Sequence, residues 1–106
     1  MEIPESQWAI IWNAIKAWMG RNNVSAHHFS LQIAGLREPY PPARIAKGIQ
    51  DGSVPISSEF LHRCVWMFRL TSARQWSEDD HLTDEECIEL LTTILMENNS
   101  EGKSQL

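Results

Sequence analysis

The amino-acid sequence predicts an all-α fold, a compact bundle of five helices in one domain. Three observations carry that prediction. Apolar residues recur at helical spacing in the segments around Trp12, Val65 and Leu91. No stretch alternates apolar and polar residues with the period of two that a half-buried strand needs. Residues that start and stop helices bracket these apolar stripes. The chain has 106 residues, 42% hydrophobic and 22% charged. A domain of that size buries roughly two thirds of its unfolded surface, enough for one core without staples.

The first helix carries Trp8, Ile11, Trp12, Ile15, Trp18 and Met19 on one stripe. Ser6 is suited to cap its start, and Gly20 to end it in a left-handed turn. A second, shorter helix begins at Ser25, whose hydroxyl caps AHHFSLQIA, with Phe29 and Ile33 inward and Gly35 at its end. Either Pro41 or Pro42 suits the first turn of a third helix, where the missing N–H has no partner to lose. That helix, ARIAKGIQ, turns Ile45 and Ile49 inward. Gly48 inside it costs about 1 kcal/mol relative to alanine, which points to another backbone passing close.

Asp51-Gly52 is a turn signal, and Pro55 precedes a fourth helix capped by Ser57 or Ser58. Leu61, Cys64, Val65 and Phe68 form its inner stripe. Residues 71–82 are polar, with Trp76 their one large apolar residue before Leu82. Thr83-Asp84-Glu85-Glu86 is a capping box that opens the fifth helix, with three acids on the positive end of the helix dipole. Ile88, Leu91, Ile94 and Leu95 form its apolar face, widened by Cys87 and Leu90. The expected organisation is a helix-turn-helix body over 1–70, a linker and acidic helix over 71–98, and a flexible tail over 99–106. The expected core is Trp12, Ile15, Phe29, Ile33, Ile45, Leu61, Val65 and Phe68.

Charge is unevenly spread. The net charge is −5, yet residues 1–70 hold seven bases against five acids and residues 71–106 two bases against nine acids. Fields act over about a Debye length, ~10 Å, so a mildly basic body and an acidic last third suit different roles. No apolar run is longer than the five residues of Trp8 to Trp12, too short to cross a membrane, and MEIPES lacks the features of a signal peptide. The expectation is a cytoplasmic protein with no membrane contact. Cys64 and Cys87 stand 23 positions apart, so neither a disulfide framework nor a zinc finger is expected. Adjacent His27 and His28 point about 100° apart on a helix and do not converge on one ion. His62-Arg63-Cys64 and Asp79-Asp80-His81 supply no further spaced ligand. Without a phosphate-cradling loop or nucleophile elbow, neither enzyme, metal nor cofactor is expected.

Two short helices, a turn, a Gly-containing loop and another capped helix make up the centre of the chain. Ser25, Phe29, Ala34-Gly35, Ile45-Ala46-Lys47-Gly48 and Val54-Pro55-Ile56-Ser57-Ser58-Glu59-Phe60-Leu61 carry the pattern. From Trp8 to Leu70 the chain resembles the Cro/phage-repressor type of helix-turn-helix domain (lambda-repressor-like, XRE-like). Ala26 stands where that family usually has glutamine, Ala46 where it has glutamate, and the turn REPYPP is enlarged.

The resemblance implies binding of double-stranded DNA and transcription regulation. The third helix would read the duplex through Arg44 and Tyr40, with Arg37 and Lys47 on phosphates. A DNA reader of this kind should show Arg37, Arg44 and Lys47 on one convex face with Glu38 turned away. The alternative is a helical protein-interaction module that contacts a partner through the acidic C-terminal third. For the fifth helix the apolar face either folds back on the first helix or also packs on a second copy. The homodimer is the preferred expectation, since it sets two recognition helices about 34 Å apart, one turn of DNA.

Overall fold

Five helices follow one another along the chain: α1 (Glu5–Asn22), α2 (Ala26–Gln32), α3 (Pro42–Asp51), α4 (Ser58–Met67) and α5 (Asp84–Ser104). The computed structural model describes residues 3–33, 35–71, 74–76 and 82–104. No strand forms among them; Ile3 N–H donates to the Ile56 carbonyl at 3.2 Å and pins the N-terminal segment ahead of α1. α1 is the shared element, packing against both α3 and α5, while α2 packs on α3 and α4 on α5.

All eight residues expected in the core are buried. Trp12 sits at its centre, fully buried, donating its indole N–H to the Val54 carbonyl at 2.9 Å and lying 5.5 Å from the Phe60 ring. Around it Phe29 and Phe68 lie 6.0 Å apart, and Trp18 stacks on Phe68 at 4.1 Å. Such ring pairs add about 0.5–1.5 kcal/mol each beyond the area they bury.

The helix ends show where local chemistry decides. Ser25 Oγ accepts from His28 N–H at 3.2 Å, and Ser57, not Ser58, caps α4 by accepting from Phe60 N–H at 3.2 Å. Pro41 is the N-cap of α3 and Pro42 its first residue. The capping box of α5 closes in both directions, Thr83 N–H to Glu86 Oε1 and Glu86 N–H to Thr83 Oγ1, each 3.1 Å. Asp84 Oδ1 accepts from Ser58 Oγ at 2.7 Å and lies 2.9 Å from His62 Nε2, which ties the start of α5 to α4.

Several boundaries differ from the expectation. α1 starts at Glu5 after Pro4, so Ser6 lies within the first turn rather than capping it. It also runs through Gly20 and ends at Asn23, left-handed at φ 54°, with Val24 N–H closing the last turn on the Met19 carbonyl at 2.9 Å. Asparagine tolerates that conformation, and exposed Gly20 meets nothing that would stop the helix. α2 stops at Gln32, short of Gly35; Ala34 lies outside the described residues. The nearest neighbour of Gly48 is the Trp12 indole, a side chain where another backbone was expected. Residues expected as a tail from 99 onward are helical through Ser104, and Gln105 and Leu106 lie outside the described residues.

The α5 face is taken up within the chain. Cys87, Leu91 and Ile94 are buried, and Ile88, Leu90 and Leu95 are partly buried against the same core. Of the four residues expected to meet a second copy, Leu91 and Ile94 therefore have no surface to offer, because α1 and α4 already cover them.

Candidate nucleic-acid interface

The segment between α2 and α3 is fastened at three points. Ser30 Oγ donates to the Tyr40 carbonyl at 2.8 Å, Arg37 N–H donates to Glu59 Oε2 at 3.3 Å, and Tyr40 anchors the rest. The Tyr40 ring stacks on Phe60 at 4.0 Å; its hydroxyl donates to the Pro55 carbonyl at 3.0 Å and accepts from Ser57 N–H at 3.1 Å. At 3% exposure this side chain meets no base, which corrects its expected place on the reading surface. Its two backbone partners and the Phe60 face hold it inside.

Burial raises the Tyr40 pKa above its ordinary value of 10.0, against the opposing pull of the Ser57 hydrogen bonds and the Arg44 cation. In the unfolded chain the phenol ionises first, so native stability is full below pH 10 and falls as pH rises through the higher native value. Urea titrations at rising pH should show that alkaline decline, and Tyr40→Phe should make it shallower while costing about 1–3 kcal/mol at neutral pH for the orphaned Ser57 N–H.

Arg44 is turned toward this tyrosine. Its guanidinium lies 4.3 Å over the Tyr40 ring, donates to the Pro39 carbonyl at 3.3 Å and pairs with Glu38 Oε1 at 2.9 Å. Glu38 is thus beside Arg44 rather than turned away from it. Lys47, one turn further along α3, is exposed and has no acidic partner among the described residues. Arg37 is exposed in the turn itself. The outer side of α3 otherwise consists of Ala43, Ala46, Gln50 and, at its C-terminal end, Asp51, all exposed. Exposed Glu85, Glu86 and Glu89 belong to α5, which packs on α1 and α4 rather than on α3.

Among the described residues no three potential metal ligands converge. Cys64 is fully buried, its thiol pushed up by burial and then by the neighbouring Cys87. Asp79, Asp80 and His81 lie outside the described residues. No described helix is long and apolar enough to cross a membrane.

The structure also holds a concave feature that no sequence motif marks. A cavity of about 630 Å³ is walled by Trp18 of α1, Gln32 at the end of α2, Trp66 and Met67 of α4, and Arg69 and Arg74 beyond α4. One signal was available: Arg63, Arg69 and Arg74 with Trp66 and Trp76 concentrate cations and indoles in one short stretch. Their meeting with Trp18 and Gln32 depends on tertiary packing. The chain matches no protein-family model, no curated protein and no solved structure.

Proposed function

We propose that the chain binds double-stranded DNA with α3 directed into the major groove, as a transcriptional regulator. The observation that carries this reading is the outer side of α3, where small Ala43 and Ala46, the amide of Gln50 and unpartnered Lys47 lie together, exposed, with a single acid, Asp51, at the C-terminal end of the helix. Small side chains let a helix approach base edges, methyl groups meet thymine methyls, and glutamine reaches adenine bidentately. Lys47 serves phosphate as a point charge. Arg44 is assigned to the backbone at the groove edge, exchanging Glu38 for a phosphate oxygen. The acidic residues of α5 sit on a helix that does not pack on α3, which limits their repulsion of the duplex.

Anisotropy of a labelled randomised duplex, titrated with salt, tests this. Lys47→Ala should weaken all sequences alike and reduce the salt slope by about one. Glu38→Gln should tighten binding by about threefold to tenfold, because it removes a carboxylate from the approach and releases Arg44. The Arg44–Glu38 pair also favours a second reading, a protein-docking module in which those charges merely fasten the turn. Under that reading neither substitution changes duplex binding.

A further inference from the structure

The cavity beside α4 has a lining of mixed but consistent chemistry. Trp18 stacks on Phe68 at 4.1 Å and also lines the cavity. Trp66 forms a second flat wall, flanked by the Arg63 guanidinium, which lies 6.0 Å from the Trp66 ring and 4.4 Å from that of Trp76. Among the described residues no acid contributes to the lining. Arg69 and Arg74, both exposed, have no acidic partner among the described residues.

The backbone aims these groups. Arg69 is left-handed at φ 60°, a conformation that an arginine adopts at a cost and that glycine or asparagine would take readily. Arg69 N–H and Leu70 N–H close on the Trp66 and Val65 carbonyls, each at 3.0 Å, so the chain reverses as α4 ends. That reversal brings Arg69 and Arg74 to the same concavity as the two indoles. Strain of this kind gathers at sites that hold ligands.

We propose that this cavity binds a small organic anion with a flat aromatic body, an aryl carboxylate in its simplest form. The volume lies within the ordinary range of ligand pockets. A wholly apolar guest would leave the guanidinium groups of Arg69 and Arg74 unmatched, and inorganic phosphate would leave the indoles of Trp18 and Trp66 unmatched. An aromatic carboxylate satisfies both, stacking on indole while its oxygens take forked N–H donors.

The test uses the full chain and no DNA, so its outcome is separate from that of duplex binding. 1-Naphthoate is titrated while the indole N–H resonances of the five tryptophans are followed by NMR. Saturable shifts are expected at Trp18 and Trp66, with 1-naphthalenemethanol, the same ring without the charge, about tenfold weaker. Arg74→Gln and Arg69→Gly should each weaken 1-naphthoate about fivefold to tenfold. Arg69→Gly also relieves the left-handed strain, so its melting temperature should hold or rise, separating lost binding from lost folding. The proposal is overturned by no saturable shift at millimolar 1-naphthoate, by equal binding of the alcohol, or by unchanged affinity in both variants.

Discussion

Gly48→Ala is expected to lower the melting temperature by roughly 10–20 °C, the equivalent of about 2–3 kcal/mol in a domain of this size. Helix propensity alone predicts the opposite, a gain of about 1 kcal/mol. The contact decides. A Cβ on Gly48 would stand 2.4 Å from Cε2 and 2.5 Å from Cζ2 of Trp12. That indole has nowhere to go, being fully buried, bonded to the Val54 carbonyl and set against Phe60. Gly20→Ala supplies the control of opposite sign: nothing lies within 4 Å of the new methyl, and stability should rise by about 0.5–1 kcal/mol. Thermal denaturation of both variants checks the pair. A Gly48→Ala protein as stable as the parent would mean that α3 does not cross α1 at this point.

Ile45→Asp should abolish the folded state at 25 °C. Ile45 is fully buried on the inner side of α3, the helix that joins α1 to α2 in packing. No buried cation among the described residues is there to pair with a carboxylate, which costs several kcal/mol, comparable with the whole stability of about 5–15 kcal/mol for a small domain. Ile45→Val removes one methylene and should cost only about 1 kcal/mol. Circular dichroism at 222 nm separates the two, with helical signal lost in the first and kept in the second. A folded aspartate variant would contradict the burial of this side chain.

What the sequence disclosed was mostly what neighbours in the chain determine. The Thr83–Glu86 box and the Ser25 cap involve residues three apart, so their hydrogen bonds are written into spacing. The apolar stripes likewise picked out most of the buried helical residues, because period and burial carry the same information, but they missed Phe60 of α4 and Ala14 of α1, both fully buried. Tyr40 departs from the expectation for the opposite reason. Set among prolines and a glutamate it looks like an exposed turn residue, and its burial depends on Phe60, Pro55 and Ser57, fifteen to twenty positions later. Gly48 did signal a close neighbour, but a contact with Trp12 across 36 positions is invisible to local pattern. The stripe on α5 told that a face is covered, not by what; α1 and α4 of the same chain cover it. Arg44 and Glu38 illustrate the remaining limit, since six positions apart across a proline turn no periodicity brings them together.

Mapping a short duplex onto the full chain by amide NMR at low salt tests the DNA reading most directly. Shifts should concentrate along Pro42–Asp51 and at the exposed start of α2, His27 and His28, and should fade as salt is raised. The amides of α5 should stay unmoved. Saturable shifts confined to α5 or to the surface around Trp76, or no shift with any duplex, would contradict groove binding by α3.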